Sequence, residues 1–210
     1  MTLQEVKALA AKGEGLKIEF KKKAAFPEKI VREVIAFANT EGGDLLIGVD
    51  DDGTVSGQRY IEEEIFVMER AVRELIFPPL AVEIFSVKLS EKKGVAIFRI
   101  PKSSDRPHYL RDKDRKQAFV RVHDRSVQAS REVWEVLRKG RVPKDTIFTY
   151  GWKEEILMKA LGESGKITLN EFSKLAKIPR FLASKTLVRL VSANVLAIHP
   201  QESEDFFTVK

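Results

Sequence analysis

The chain has 210 residues, 43% of them hydrophobic and 32% charged, a balance that excludes a disordered chain and favours folded domains. It has no Cys, no apolar run long enough to span a bilayer and no signal-peptide core, so we expect a cytoplasmic protein without disulfides, zinc-binding cysteines or membrane contact. The formal net charge of +6 favours polyanionic partners such as nucleic acids.

Residues 1–140 predict one α+β domain, because helical and strand patterns follow one another along them. Gly or Pro ends several of the segments. The polar stretch from Pro101 to about Lys116 is predicted to be a long loop. The predicted elements are a helix over 1–12, a strand over 16–21, a helix over 27–38, a strand over 45–49, a helix over 62–77, a hairpin over 81–89 and 95–100, a strand over 117–123 and a helix over 127–139.

A linker is predicted over residues 141–151 and a second, smaller domain over 152–210. Within it, Thr168-Leu169-Asn170-Glu171 is a capping box that opens a helix. The order of elements resembles the winged helix-turn-helix of many bacterial transcription regulators, in which the third helix reads DNA. Its predicted elements are helices over 154–161, 169–177 and 180–193, followed by two strands over 195–199 and 206–209 that would pair as a wing.

Three stretches of the first domain carry motifs. Residues 14–21 read Glu-x4-Glu-Phe-Lys, and residues 36–43 read Ala-Phe-Ala-Asn-Thr-Glu-Gly-Gly before Leu-Ile-Gly-Val-Asp-Asp over 46–51. Further on, Pro107-His108-Tyr109 precedes Phe-Val-Arg over 119–121. Together these stretches resemble the Schlafen AlbA-type domain, over about residues 12–138. The resemblance implies an AlbA-like mixed β-sheet with helices, in a family described as DNA-binding, ATP-binding or ribonucleolytic.

The ribonucleolytic members imply a metal-dependent nuclease whose three carboxylates would correspond to Glu14, Glu19 and either Asp50 or Asp51. Clustered carboxylates can hold Mg²⁺ or Mn²⁺, which activates water at a phosphate. The same residues also suit a solvated turn and an alternating strand. The chain lacks the Cys of the zinc site in vertebrate Schlafens, and it has one copy of the domain where their nuclease cleft pairs two.

ATP hydrolysis is not expected. A P-loop needs a Lys and a Ser or Thr after its second Gly, whereas here Gly43-x4-Gly48 is followed by Val49 and Asp50. We therefore predict no cofactor, apart from the divalent metal that a nuclease would require. The sequence leans against an enzyme but leaves nuclease activity open.

Nucleic-acid binding without chemistry fits the basic residues best. Lysines cluster after the first strand, and cations fill the predicted loop over 101–116 with His108 and Tyr109 between them. Flexible cations contact phosphates, and aromatic rings stack on bases. On the third helix of the second domain, Phe181 either packs locally or contacts a thymine methyl. The residues predicted to contact nucleic acid are Lys21, Lys22, Lys23, Arg106, Arg111, Arg115, Arg121, Arg180, Ser184, Lys185 and Arg189.

The leading hypothesis is a DNA-binding transcriptional regulator whose winged helix reads the duplex, with DNA favoured over RNA. A homodimer would match a two-fold operator, although the sequence reveals no interface. Two alternatives remain, because a fold does not determine a function. One is the metal-dependent nuclease, and the other is a nucleotide-binding or protein-interaction scaffold.

Overall fold

The computed structural model describes residues 1–112, 115–140 and 150–210. The chain divides into two compact units, Met1–Gln128 and Ala129–Lys210. Of the linker predicted over 141–151, residues 141–149 lie outside the described residues. Within the described part of the chain, no helix is long and apolar enough to cross a membrane.

The first unit is a mixed α+β domain, as the sequence predicts. Helices and strands are interleaved along the chain, and the strands form one larger sheet and two smaller ones. In chain order the elements are α1 (Leu3–Ala10), β1 (Ile18–Lys21), α2 (Pro27–Asn39), β2 (Gly43–Ile47), β3 (Gln58–Arg59), α3 (Ile61–Leu75), β4 (Ile76–Phe77), β5 (Glu83–Lys88), β6 (Lys93–Ile100), β7 (Tyr109–Asp112), β8 (Arg115–Gln117), β9 (Phe119–Val122) and β10 (Arg125–Gln128).

A five-stranded sheet forms the centre of this unit. Its order is β1-β2-β6-β3, and β5 pairs with β6 as the predicted hairpin. Strands β1 and β2 are parallel and are joined by α2, whereas the other pairs are antiparallel. Two smaller sheets, β4-β7-β8 and β10-β9, follow it in the chain.

Two hydrophobic cores lie on opposite faces of the central sheet. On β2, Leu45 and Ile47 belong to the core formed with α2 and α3, while Leu46 belongs to the core that contains Val6 and Ala10 of α1. Successive side chains of a strand point to opposite faces, so a strand buried on both faces needs apolar residues throughout. This explains why the buried part of β2, Leu45-Leu46-Ile47, is a continuous apolar run.

The second unit contains four helices and a three-stranded sheet among its described residues. Its core combines residues of three helices and the sheet, including Leu157, Phe172, Leu187 and Phe207. The sheet order is β11-β13-β12. The elements are α4 (Arg131–Lys139), α5 (Trp152–Ser164), β11 (Ile167–Thr168), α6 (Leu169–Leu175), α7 (Arg180–Ser192), β12 (Leu196–His199) and β13 (Phe206–Val209).

Besides short strands that the sequence did not predict, such as β3 and β11, the structure differs from the sequence prediction in three larger respects. The predicted loop over 101–116 contains β7 and part of β8, which pair with each other and with β4. The helix predicted from Val127 begins at Arg131, because the Ser130 hydroxyl accepts a hydrogen bond from the Val133 N–H at 3.1 Å and caps the helix there. That helix, α4, also groups with the second unit and contacts α7, whereas the sequence placed it in the first domain.

Candidate nucleic-acid interface

The small sheet β4-β7-β8 separates an apolar face from a polar one. Ile76 and Leu110 form a register pair and pack in the core of the first unit. Side chains alternate between the faces of a strand, and paired residues share a face, so the neighbouring pairs point away from this core. These pairs are Phe77 with Tyr109 and Arg111 with Lys116, and we call the four residues the aromatic–cationic face.

Ring contacts hold the two cations of this face in place. The Phe77 and Tyr109 rings lie 6.4 Å apart between centroids. The Arg111 guanidinium carbon is 5.7 Å from the Phe77 centroid, and the Lys116 ammonium nitrogen is 5.1 Å from the Tyr109 centroid. Cation–π attraction at exposed sites is worth about 0.5–1 kcal/mol, so each ring stabilises one orientation of its cation.

The two cations of this face stand directly opposite each other in the hairpin. Arg111 and Lys116 are both exposed and directly paired across β7 and β8. Like charges in this position destabilise a sheet. Among the residues that the structure describes, no carboxylate forms an ion pair with either of them. Both cations are exposed on one face of the hairpin, where an anion could contact them together.

The lysines at the end of β1 and just after it differ in how accessible they are to a polyanion. Lys21 contacts the Glu19 carboxylate, and the Lys22 ammonium lies 3.2 Å from the Asp50 carboxylate. Lys22 and Lys23 are exposed, as is Arg115 on β8. These three cations remain accessible to a polyanion, while Lys21 is two-thirds buried beside its partner.

Arg121 lies inside the first unit and not on its surface, contrary to the sequence prediction. Its side chain is fully buried, and its Nη1 donates to Glu19 at 3.0 Å and to Glu33 at 2.7 Å. Its Nη2 donates to the Gly15 carbonyl at 2.6 Å, and its guanidinium lies 4.8 Å from the Phe37 ring centroid. Arg121 is therefore not part of the candidate interface. The prediction was wrong because strand alternation indicates which face of the strand a side chain lies on, but not whether other residues cover that face.

Glu33 was not singled out by the sequence. It lies on α2, accepts hydrogen bonds from Arg121 and from the Ser126 hydroxyl, and is partly buried. Burial raises the pKa of its carboxyl, and the nearby charge of Glu19 adds to the effect, while Ser126, Arg121 and Lys21 oppose it. No sequence motif marks Glu33, since it is one of several polar residues on an amphipathic helix.

The carboxylates predicted for a nuclease site have separate partners. Glu14 accepts a hydrogen bond from the Phe20 N–H at 2.8 Å, and Glu19 is paired with Arg121 and Lys21. Asp50 pairs with Lys22, while Asp51 is an exposed turn residue. Within the described parts of the chain, no three His, Asp or Glu side chains are grouped so that they could hold a metal ion.

Asn39, from the second motif, is a structural residue. It is buried, and its Nδ2 donates to the carbonyls of His108 and Phe119 at 2.8 and 2.9 Å. Its Oδ1 accepts from the His108 N–H at 2.7 Å. The His108 ring in turn contacts the Pro78 carbonyl and the Ser103 hydroxyl. This latch, as we call the contacts of Asn39, joins the end of α2 to the chain on both sides of the β7-β8 hairpin.

The Gly42-Gly43 pair also has a packing role. Gly42 has a φ of +72°, and a Cβ there would lie 2.7 Å from the Ile100 carbonyl oxygen. A Cβ on Gly43 would lie 2.4 Å from the Phe37 ring. Close packing therefore accounts for both glycines without a bound phosphate.

Arg106 lies beside this latch, and its Nη1 donates to the Asn39 carbonyl at 3.4 Å. It is partly buried. The side chain therefore takes part in holding the loop, and any contact with nucleic acid would be additional to that role.

Helix α7 presents fewer free side chains than the sequence predicts. Ser184 donates to Glu132 of α4, and Arg189 lies 3.3 Å from the buried carboxylate of Glu154. Lys185 is exposed, as is Arg180, whose Nη1 donates to Asn170 at 2.8 Å. Phe181 is 68% exposed, so it does not pack locally.

The acidic loop between β12 and β13 is partly engaged inside the second unit. Asp205 is buried, accepts from the Ser130 hydroxyl and accepts from the Gln201 N–H at 3.0 Å. Glu204 accepts from the Asn170 N–H at 3.2 Å. Burial raises the pKa of the Asp205 carboxyl. Two carboxylates of the loop are therefore held by hydrogen bonds within the second unit.

Comparison with known proteins identifies a family and several similar solved structures. The family described as Schlafen, AlbA_2 matches residues 14–130, more than half of the chain. The solution NMR structure of the N-terminal domain of a protein from Nitrosomonas europaea, described as related to the ATP-dependent DNA helicase RecG, aligns with a TM-score of 0.45 and 21% identity, over 55% of this chain and 86% of that one. The crystal structure of the DIP2311 protein from Corynebacterium diphtheriae aligns with a TM-score of 0.47 and 18% identity, over 80% of this chain but 34% of that one. No curated protein matches the chain.

Proposed function

The chain belongs to the Schlafen AlbA_2 family, whose domains are associated with nucleic-acid binding, and we propose that it is a DNA-binding protein that contacts the duplex with both units. The observation that carries the proposal is the aromatic–cationic face of β4-β7-β8. Its two cations are opposed in register without a carboxylate partner among the described residues. A phosphate backbone supplies the negative charge that this arrangement lacks.

The two aromatic rings of this face also favour phosphate binding by its cations. Each ring lies under one cation and keeps its long side chain from sampling many orientations. Preorganised cations lose less conformational entropy when they bind a phosphate. The exposed Lys22, Lys23 and Arg115 would add flexible phosphate contacts.

The second unit supports a winged helix-turn-helix assignment. Its order, α5-β11-α6-α7-β12-β13 with a three-stranded sheet, fits that pattern, and α7 would be the recognition helix. The residues of a recognition helix that contact bases lie near its N-terminus, where Arg180, Phe181 and Lys185 are exposed. Arg and Lys read guanine edges, and Phe contacts the thymine methyl. A role in transcription regulation would follow from such a reader.

The first test measures binding of a fluorescein-labelled DNA duplex by anisotropy. The double variant Arg111→Ala plus Lys116→Ala should raise the Kd at least about tenfold, because two phosphate contacts are lost. Lys88→Ala plus Lys92→Ala is the matched control, since both lysines are exposed on the central hairpin, and its Kd should stay near that of the wild type. Equal effects of the two double variants would show that net charge alone controls binding and would reject the proposed face.

The second test concerns α7. Phe181→Ala plus Lys185→Ala should weaken binding to the preferred duplex sequence, whereas Lys159→Ala plus Val209→Ala removes a similar exposed pair and should not. Unchanged affinity in the first variant would reject α7 as the helix that reads the DNA sequence.

The preference for DNA has its own test. An RNA duplex of the same length, if bound more tightly than DNA, would contradict that preference.

A further inference from the structure

Helix α3 has a second apolar stripe that faces solvent. Its core side, represented by Ile61, Met68 and Val72, packs against α2 and the central sheet. On the other side, Phe66 is 62% exposed and Val67 is 38% exposed. Phe66 and Val67 are adjacent, so together they expose a continuous apolar area on α3 that another apolar surface could cover.

A groove lies beside this stripe within the first unit. Pro27 and Glu28 at the start of α2 line one part of it, and α3 lines the rest with four apolar residues and two charged ones, namely Phe66, Val67, Ala71, Leu75, Arg70 and Glu74. Its volume is about 280 Å³. Such an apolar groove can accept a side chain from a facing helix.

The charges on the exposed face of α3 are arranged symmetrically about its apolar centre. Glu63 lies three residues before Phe66, and Arg70 lies three residues after Val67. All four residues are exposed, and at 100° per residue they lie on one side of the helix. Within the helix, Arg70 forms an exposed ion pair with Glu74, one turn further along, through its Nε at 3.1 Å.

This order is self-complementary for an antiparallel pair of identical helices. A two-fold axis between Phe66 and Val67 places Phe66 of one copy against Val67 of the other. The same axis places Glu63 of each copy opposite Arg70 of the other, because both residues are equally far from the centre. Two-fold interfaces require that residue i meets residue j and residue j meets residue i. A partner of different sequence would not need this symmetry.

We propose that the exposed face of α3 is a homodimer interface in which the α3 helices of two copies pack antiparallel. Phe66 of each copy enters the groove of the other, and two Glu63–Arg70 ion pairs flank the apolar centre. The interface lies within the first unit and does not depend on the proposed DNA binding.

The experiment is sedimentation velocity of the full chain over a range of concentrations. The wild type should dimerise, and Phe66→Glu should raise the dimer Kd at least about tenfold, because it places two carboxylates at the apolar centre. Glu63→Arg and Arg70→Glu should each weaken the homodimer, since each puts like charges opposite each other twice. An equimolar mixture of these two variants should dimerise again, because the heterodimer restores both opposite-charge pairs.

Glu135→Arg is the matched control, because it reverses the charge in an exposed helical ion pair on α4, and it should leave the dimer unchanged. All the substituted residues of α3 are exposed, so each variant should fold, and thermal unfolding is measured for each as a check. A wild-type chain that stays monomeric up to about 1 mM would overturn the proposal. So would a dimer that persists in Phe66→Glu, or single charge variants that do not recover on mixing.

Discussion

Arg121 shows how one residue can change role between sequence and structure. Its position on an alternating strand suggests an exposed cation, yet it is buried between two carboxylates and the Gly15 carbonyl. A buried charge is tolerated when it is paired and hydrogen-bonded. Arg121 therefore links β1, α2 and β9, and Glu19 of the first motif serves as its partner.

We predict that Arg121→Ala lowers the free energy of unfolding by about 3–5 kcal/mol, because it leaves Glu19 and Glu33 without their buried cation. Denaturant titration measures the change. Lys102→Ala, which breaks an exposed pair with Glu41, should cost less than about 1 kcal/mol. A loss for Arg121→Ala as small as that of the control would show that the network contributes little to stability.

The carboxyl of Glu33 predicts a pH dependence. Its pKa is raised in the folded state above its ordinary 4.5, mainly by burial. The folded state therefore binds the proton more tightly than the unfolded state, and this contribution to stability is complete below the unfolded pKa and lost as pH rises through the folded pKa.

We expect the unfolding free energy of the wild type, minus that of Glu33→Gln, to fall as the pH rises above the ordinary pKa of 4.5, since Gln does not ionise. Denaturant titrations at several pH values measure this difference. Glu91→Gln, at an exposed position, serves as the control. A difference for Glu33→Gln that is constant or grows with pH would contradict the prediction.

At the scale of elements, the β7-β8 hairpin was the hardest part to predict. Its residues are mostly polar, and it is completed by β4, which lies more than thirty residues earlier in the chain. Periodicity within a short segment cannot reveal a partner strand that is distant in sequence. By contrast, α2 was predicted nearly to its observed ends, because Pro27 opens it and a regular apolar stripe continues to Asn39.

The latch at Asn39 should determine how firmly the hairpin is held. Asn39→Ala would remove three buried hydrogen bonds and leave backbone groups of His108 and Phe119 unpaired. Each such group costs about 1–3 kcal/mol, so we expect a loss of about 3 kcal/mol or more in unfolding free energy. Ser104→Ala, at an exposed position of the same loop, should change little. Faster hydrogen exchange in β7 and β8 would locate the effect, and equal stability of the two variants would contradict it.

For the whole molecule, net charge predicts the salt dependence of binding. The net charge of +6 and the cations of the two units predict that duplex affinity falls steeply between about 50 and 200 mM salt. For the double variant Arg111→Ala plus Lys116→Ala, the slope of log binding constant against log salt concentration should be less negative by about 2, one for each lost phosphate contact. Anisotropy titrations at several salt concentrations measure both slopes. A wild-type affinity independent of salt would reject phosphate contact as the main source of binding.

The sequence by itself determined the α+β class, most helices and strands, the family and the excess of positive charge. The class, the elements and the charge depend on local periodicity, capping and composition, which each segment carries within itself, and the family is inferred from the resemblance of three motif stretches. Only the tertiary structure decided that Arg121 is buried, that Asn39 is a latch and that Arg111 faces Lys116 across a hairpin. Each of these outcomes depends on contacts between residues far apart in the chain, and no local pattern specifies which distant group will lie against a given side chain.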